Sequence, residues 1–246
     1  MRSAPPATLK PPVVVPTGPV AWRSCGGGFQ CGTLQVPLDY EHPERGRIGI
    51  ALKRYPARDP ARRIGSLLYN PGGPGTSGVG AVAGQVNRST AGILDRFDVV
   101  GFDPRGVGQS SAVRCDAAPS LPDPIPDPVP PDDATRQAVI AANNEYAADC
   151  VKYSNGVLPH VGSDNVARDM DQLRIALGDE RLTYLGQSYG TFLGQVYAEL
   201  FPGRIRALAL DGVIDPALTT EEFANAAAEG FDRQLLAFGG WCQATP

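Results

Sequence analysis

The sequence predicts an α/β protein with a doubly wound, mainly parallel sheet. Short apolar runs bounded by Gly or Pro alternate with longer stretches in which apolar residues recur every three or four positions. The first pattern is typical of buried parallel strands and the second of amphipathic helices, and their alternation indicates strand–helix–strand units. With 246 residues, 42% of them apolar, the chain can bury a substantial core.

Six strands are predicted, each from a short apolar or alternating run. They lie at residues 33–38, 48–55, 66–69, 97–103, 182–187 and 206–211. The first two flank the turn-rich segment 39–46, which indicates a hairpin-like start.

The predicted helices lie between and after these strands, and each has a start or stop signal. They are a stretch at about 77–86, a helix capped by Asp132 or Asp133, a helix capped by Ser163–Asp164 and ended by Gly178, a helix stopped by Phe201–Pro202, and a helix opened by the capping box Thr219-x-x-Glu222.

The chain divides by composition. Residues 1–21 are rich in proline and predict an extended leader, whereas 22–216 carry the strand and helix patterns of the core. A Pro-rich insertion, 111–163, interrupts that core, and its prolines between 119 and 131 exclude a helix or a central strand.

Charge and hydropathy exclude several partners. The net charge is −4 and no block of Lys or Arg occurs, which argues against a nucleic-acid or anionic-membrane partner. No apolar run has the length of a membrane span, and the first residues lack the apolar core of a secretory signal. We also expect no cofactor and no metal, because the cysteine spacings are not C-x-x-C and neither His42 nor His160 lies near a cysteine pair.

Four of the five cysteines form candidate pairs. Cys25 and Cys31 lie six residues apart in a glycine-rich loop, and Cys115 and Cys150 bracket the insertion. The helix after Asp132 places Tyr146 and Cys150 on one apolar face, which would bring Cys150 back toward Cys115. The alternative is five reduced thiols in a cytosolic protein, and Cys242 is left over in either case.

The segment Gly186-Gln-Ser188-Tyr-Gly190 follows a strand and precedes a helical pattern. This G-x-S-x-G arrangement is the nucleophile elbow of the α/β-hydrolase fold, in which a strained turn presents the serine at a helix N-terminus. We therefore expect Ser188 to be the nucleophile and the Tyr189 N–H to donate to an oxyanion.

A second oxyanion donor is expected in the loop after the third predicted strand, where the sequence is Asn70-Pro-Gly-Gly-Pro-Gly75. Either Gly72 or Gly73 can turn its N–H into the cleft without a side chain in the way. After the next strand, Asp103 and Arg105 are expected to hold a structural turn by ion pairing rather than to act in catalysis.

The triad order in this fold is Ser, acid, His, yet no histidine follows Ser188 in these 246 residues. His42 and His160 precede the serine, and we expect surface or turn-stabilising roles for both. Asp211 ends the strand after the elbow, where it either serves as the acid or shapes the turn with Gly212. On this basis we expect the chain alone to be nearly inert.

Four motifs in order carry a family resemblance: residues 36–43, 70–75, 101–110 and 186–191. Together they resemble the tripeptidyl aminopeptidase group of α/β hydrolases, to which prolyl aminopeptidases are related. The resemblance runs from about Cys25 to Pro246 and covers the front half of such an enzyme. It implies an α/β-hydrolase fold truncated after the sixth strand and the first lid helix, with the lid beginning in 217–246 and the acid and base in a C-terminal half of the same or a separate chain.

The resemblance further implies a secreted or bacterial cell-envelope serine exopeptidase, with a cytoplasmic location as the alternative. Such an enzyme releases short peptides from substrates with a free N-terminus through an acyl-enzyme on Ser188. Acidic lid residues would bind the substrate ammonium group, and Glu221 and Glu222 are the nearby candidates, although helix capping explains both. The alternatives are a carboxylic ester or thioester hydrolase on the same scaffold and a non-catalytic truncated homologue.

Overall fold

The computed structural model describes residues 18–115 and 132–244. The predicted Pro-rich loop at 119–131 and most of the leader at 1–21 lie outside these residues. The strands are β1 (Arg23–Ser24), β2 (Gln30–Pro37), β3 (Arg47–Tyr55), β4 (Gly65–Asn70), β5 (Phe97–Phe102), β6 (Leu182–Gln187) and β7 (Ile205–Asp211). The helices are α1 (Gly78–Arg88), α2 (Ala91–Arg96), α3 (Asp133–Tyr153), α4 (Ser163–Ala176), α5 (Tyr189–Leu200) and α6 (Thr220–Ala244).

All seven strands form one sheet in the order β1-β2-β3-β5-β4-β6-β7. The strands from β4 onward pair in parallel, whereas β1, β2 and β3 pair antiparallel and β3 joins β5 antiparallel. The predicted hairpin-like start is confirmed, since Leu34 of β2 lies opposite Ile50 of β3. The carboxyl ends of β4, β5, β6 and β7 therefore meet at one edge of the sheet, where ligand sites of parallel sheets form.

Helices cover both faces of the sheet, so the predicted doubly wound α/β architecture is confirmed. On one face, α1 and α2 pack against a small apolar cluster that includes Val82 and Val99. On the other face, α4 and α5 bury the larger cluster, in which Met170, Leu173 and Tyr197 are fully buried. The predicted stripe of α4 is thus confirmed at Val166, Met170 and Leu173, and Gly178, with a φ of +78°, follows the helix end.

Helix α1 meets β5 backbone to backbone. A Cβ atom on Gly78 would overlap with the carbonyl of Phe102, and one on Gly101 would overlap with the carbonyl of Gly78. Because both positions lack a side chain, the N-terminus of α1 is drawn onto the sheet. This close contact fixes the loop that connects β4 to α1, in which the predicted oxyanion glycines lie.

The structure corrects three details. Among the described residues the sheet has seven strands rather than six, because the two-residue β1 is too short for a periodic pattern. The six-residue α2 was not predicted for the same reason. The cap predicted at Ser163–Asp164 is wrong: the N-cap position is Gly162, without a side-chain cap. The Ser163 hydroxyl instead shares a 2.5 Å hydrogen bond with the Tyr189 hydroxyl.

Both predicted disulfides are present, Cys25–Cys31 and Cys115–Cys150, and Cys242 is free and exposed. Helix α3 begins as predicted, with the Asp132 side chain accepting the Thr135 N–H at 2.7 Å. Its predicted apolar face is only partly buried, because Cys150 is buried whereas Tyr146 is 48% exposed. The helix is therefore held to the core at its C-terminal end.

The capping box before α6 is confirmed: the Thr219 N–H donates to Glu222 at 2.8 Å and the Glu222 N–H donates to Thr219 Oγ1 at 3.2 Å. No side chain of α6 is buried, and β7 forms one edge of the sheet. The division into leader, core and lid stays a prediction. Within residues 18–115 and 132–244, no helix combines the length and apolar content that crossing a membrane requires.

Candidate active site

Ser188 lies in the sharp turn between β6 and α5 with φ +50° and ψ −121°. This left-handed conformation is strained for a residue that carries a side chain. The flanking glycines are required sterically, because a Cβ atom on Gly186 would overlap with the Gly190 carbonyl. A Cβ atom on Gly190 would in turn approach the Asn70 carbonyl oxygen to 2.7 Å. The G-x-S-x-G pattern is thus the sequence requirement of this turn.

Hydrogen bonds from three segments hold the turn in place. The Ser188 N–H donates to the Asp211 carbonyl oxygen at 2.8 Å, which ties the elbow to the end of β7. Thr191 Oγ1 donates to the Ser188 carbonyl at 2.7 Å and accepts the Ile214 N–H at 3.0 Å. Sequence analysis missed Thr191, because a threonine in the first turn of a helix gives no distinctive pattern.

The loop after β4 rests directly against this elbow. Gly72 and Gly73 have φ values of +93° and +109°, so both use backbone conformations that favour glycine. A Cβ atom on Gly72 would overlap with the Gln187 carbonyl and would lie 2.9 Å from both Ser188 Cβ and the Tyr189 nitrogen. The structure therefore brings the sequence-predicted residues of the two motifs together.

The backbone N–H groups of Gly72 and Tyr189 differ in their hydrogen-bond acceptors. The Gly72 N–H donates to Asn70 Oδ1 at 2.9 Å. Tyr189 is the first residue of α5, and an N–H in the first turn of a helix has no acceptor within its own helix. The Asn70–Gly72 bond is one that sequence analysis missed, although asparagine commonly accepts from the backbone two residues on.

A cavity of about 270 Å³ lies beside the loop and the elbow. Its walls are mainly apolar and include Pro74, Val107, Val113, Val161, Val166 and Leu193. Gly72 and Tyr189 form the side nearest the elbow, and Ser163 is one of the few polar residues in the lining. The cavity suits an uncharged apolar group beside Gly72 and Tyr189.

Arg105 and Asp103 both make polar contacts with other segments, but they do not pair with each other. Arg105 forms a buried ion pair with Asp169 of α4, with 2.6 Å between Nη2 and Oδ1. Burial alone would lower the pKa of Arg105, but the Asp169 carboxylate raises it above its usual value. Asp103 accepts the Ser77 hydroxyl at 2.5 Å and the Gln109 N–H at 2.9 Å.

The two histidines and Asp211 lie in other settings. His42 is exposed, with its Nδ1 3.6 Å from the Glu44 carboxylate, and His160 contributes its carbonyl oxygen to the Arg105 guanidinium at 3.2 Å. Neither histidine lines the cavity. The Asp211 carboxylate accepts from the Gln187 side chain at 3.0 Å, and Gly212 after it has a φ of +71°, which fits the predicted turn-shaping role.

Glu221 and Glu222 do not line the cavity either. The Glu222 carboxylate accepts from the Thr219 N–H and hydroxyl at 2.8 Å each, and these bonds hold its pKa below the usual range. Capping thus accounts for Glu222. In the part of the chain that the structure describes, no group of three or more His, Cys, Asp or Glu side chains is arranged to hold a metal ion.

The sequence of this chain is similar to those of known proteins. A family model described as the alpha/beta hydrolase fold matches residues 65–245. The chain is 43% identical over 241 residues to the serine protease Hip1 of Mycobacterium tuberculosis, covering 91% of this chain and 45% of that protein. It is 41% identical over 208 residues to the tripeptidyl aminopeptidase of Streptomyces lividans, covering 80% of this chain and 39% of that protein.

A third relative is the carboxylesterase B of Mycobacterium tuberculosis, at 39% identity over 251 residues, covering 96% of this chain and 47% of that protein. The chain thus spans less than half the length of each of these curated relatives. The resemblance stated from the four motifs is confirmed, and the chain belongs to the α/β hydrolase family.

Proposed function

We propose that this chain carries the nucleophile and the oxyanion hole of a serine exopeptidase that releases short peptides from free N-termini. The observation that carries the proposal is the backbone of Ser188, held at φ +50° between a strand and a helix N-terminus. Strain of this kind persists where function requires it, and here it presents a hydroxyl beside the Tyr189 N–H at the start of α5. Relatives named as a serine protease and a tripeptidyl aminopeptidase support the hypothesis of a peptidase.

In the proposed reaction, Ser188 Oγ loses its proton to a general base and attacks the carbonyl carbon of the scissile peptide bond. The C–N bond then breaks, the amine leaves with a proton from the base, and an ester to Ser188 remains. Water hydrolyses this ester, which releases the short peptide and restores the hydroxyl. The Tyr189 N–H is one donor to the oxyanion of both tetrahedral intermediates.

Gly73 is the second oxyanion donor in this proposal. The Gly72 N–H already donates to Asn70 Oδ1, so it is directed away from a substrate oxygen. Pro74 has no N–H, which leaves Gly73 as the donor of the Gly72–Gly73 pair that sequence analysis left open.

The acid and the general base are proposed to come from polypeptide outside these 246 residues, either in the same chain or in a separate one. Relatives about twice as long support this, as does the chain order, since His42 and His160 both precede Ser188. The chain alone is then nearly inert, because removing the base of a serine hydrolase lowers the rate by several powers of ten. Two disulfides and the likeness to Hip1 support a secreted or envelope location.

The second candidate is a carboxylic ester hydrolase. The likeness to carboxylesterase B, over 96% of this chain, favours it specifically. A serine elbow with two backbone donors serves acyl transfer from esters as well as from amides. Substrate profiling with matched peptide amides and esters separates the two candidates.

The test is intact mass after treatment with a fluorophosphonate, on the chain alone and on the chain mixed with the separately expressed C-terminal half of a full-length relative. Labelling in the mixture only, and its loss in Ser188→Ala, supports the proposal. Labelling of the chain alone would place the base within these residues and make His42 and His160 the next variants. A folded complex that takes no label would favour the non-catalytic alternative.

A further inference from the structure

We propose that Asn70 is a positioning residue that sets the second oxyanion donor by holding Gly72. This inference deepens the proposed function and rests on it where catalysis is concerned. The statement that Asn70 accepts the Gly72 N–H and leaves the Gly73 N–H without that acceptor does not depend on the proposed function.

The Asn70 side chain lies at the junction of the two motifs. Asn70 is the last residue of β4, and its strand pairs with β6 so that Asn70 lies opposite Gly186. Its Oδ1 accepts the Gly72 N–H at 2.9 Å. The same oxygen lies 2.9 Å from the position of a Cβ atom on Gly190, so the amide touches the loop on one side and the elbow helix on the other.

This contact decides which N–H of the loop already has an acceptor. With the Gly72 N–H bonded to Asn70, Gly72 and Gly73 have φ values of +93° and +109°, which are conformations that favour glycine. The Gly73 N–H is then the one left to face the substrate. A Cβ atom on Gly72 would lie 2.9 Å from both Ser188 Cβ and the Tyr189 nitrogen, so the loop segment that Asn70 holds lies close against the elbow.

The other end of the amide is unusual. Asn70 is 1% exposed, and its Nδ2 has no hydrogen-bond partner within the part of the chain that the structure describes. Reversing the amide does not remove the problem, because Nδ2 would then face the Gly72 N–H and two donors would oppose each other. The acceptor is thus fixed on Gly72, and a buried donor is left unpaired at the edge of the site.

An unpaired buried donor destabilises a folded protein, and natural structures retain few of them. The amide has one property that alternatives lack: its oxygen accepts the Gly72 N–H without bringing a charge near the developing oxyanion. An aspartate would accept equally well but would place a negative charge beside the negative intermediate. A leucine of similar size would leave Gly72 without an acceptor. Positioning an oxyanion donor with a neutral acceptor explains why asparagine stands here.

The first test needs no catalysis and uses the 246-residue chain labelled with ¹⁵N-glycine. Hydrogen exchange followed by NMR is expected to show the Gly72 amide protected and the Gly73 amide exchanging freely. In Asn70→Leu, Gly72 is expected to lose its protection. Equal protection of Gly72 and Gly73, or a Gly72 amide that Asn70→Leu leaves unchanged, would overturn the inference whether or not the chain is an enzyme.

The second test is the rate of fluorophosphonate labelling in the mixture with the C-terminal half. Asn70→Leu is expected to lower the rate constant for covalent labelling about 100-fold, which is the effect of losing one oxyanion donor. The affinity for the fluorophosphonate before the covalent step is expected to stay unchanged. Its unfolding temperature is expected to stay within about 3 °C of the parent, because one unpaired donor replaces another. The matched control is Asn143→Leu on the exposed surface of α3, which is expected to change neither the labelling rate constant nor the unfolding temperature.

Asn70→Asp is the second variant, which keeps the acceptor for Gly72. We expect it to preserve the exchange protection of Gly72 while labelling at least about tenfold more slowly than the parent at neutral pH, because of the added charge. If Asn70→Leu lowers the unfolding temperature strongly while its folded fraction labels at the parental rate, Asn70 is merely structural and the inference is wrong. If the parent takes no label, the proposed function fails and the exchange result alone decides the role of Asn70.

Discussion

Arg105 and Asp169 form an ion pair that is almost fully shielded from solvent, with side-chain exposures of 0% and 1%. The guanidinium also donates to the carbonyl oxygens of Pro37 at 3.0 Å and Leu38 at 2.9 Å. One side chain thus connects the loop after β5 to α4 and to the end of β2. The Tyr40 hydroxyl donates to Asp169 at 2.7 Å, and burial together with the Asp169 charge raises the pKa of Tyr40, so this hydroxyl stays protonated.

We expect Asp169→Asn to lower the free energy of unfolding by about 3 to 5 kcal/mol, because it leaves the Arg105 charge buried without its counterion. Urea denaturation measures the change. Glu229→Gln, which removes the partner of Arg233 in an exposed pair, is the matched control and is expected to cost less than about 0.5 kcal/mol. A loss below about 1 kcal/mol in Asp169→Asn would show that the pair is dispensable.

Replacing Ser188 separates the chemistry of the hydroxyl from the strain of the turn. Ser188→Ala and Ser188→Gly both remove the proposed nucleophile, so neither is expected to take a fluorophosphonate label. Glycine adopts φ +50° readily, and we therefore expect Ser188→Gly to be more stable than Ser188→Ala by about 1 kcal/mol. Thermal unfolding gives the comparison, and equal stability of the two variants would contradict a strained elbow.

The loop offers a matched pair of glycine substitutions. Gly72 and Gly75 have the same φ of +93°, but only Gly72 is packed against the elbow, whereas a Cβ atom on Gly75 would meet nothing within 4 Å. Gly75→Ala is expected to cost about 1 kcal/mol from backbone strain. Gly72→Ala adds the overlap with the Gln187 carbonyl, and we expect at least about 2 kcal/mol more, measured by urea denaturation. Equal losses would mean that the loop is not seated on the elbow.

The two disulfides are expected to differ in their stabilisation. Cys115–Cys150 joins residues 35 apart and Cys25–Cys31 joins residues 6 apart. The chain-entropy model assigns about 4 kcal/mol to the longer loop and about 2 kcal/mol to the shorter one. Paired Cys→Ser variants, compared by urea denaturation under non-reducing conditions, measure both values. A larger loss from removing Cys25–Cys31 would contradict the ordering.

Helix α6 exposes large apolar side chains on one face, with Phe231 77%, Leu235 68% and Phe238 59% exposed. An apolar face of this extent favours association, so we expect the chain to form oligomers at concentrations of about 50 μM. Light scattering after size exclusion is the measurement. The double substitution Phe231→Gln and Leu235→Gln is expected to shift the chain to monomer, whereas Gln234→Ser on the same helix is the control. A monomeric parent would show that this face does not associate.

The sequence by itself determined the fold class and the elbow. Alternation of strand and helix patterns is a local property, and so is the steric rule that position 186 must lack a Cβ atom, because the obstacle there is the Gly190 carbonyl. The capping box of α6 and the stripe of α4 were likewise correct, since hydrogen bonding within a turn and helical periodicity depend on near neighbours. Elements of two and six residues, β1 and α2, carry too little pattern to be found this way.

Tertiary structure alone decided which partners meet. Arg105 is 64 residues from Asp169, and nothing local distinguishes that aspartate from the others of α4. Gly190 is 120 residues from Asn70, and only the pairing of β4 with β6 brings the Asn70 carbonyl to within 2.7 Å of the position of a Cβ atom on Gly190. Such contacts join residues that are distant in sequence, and their geometry follows from the packing of the whole sheet and its helices rather than from the propensities of any one segment.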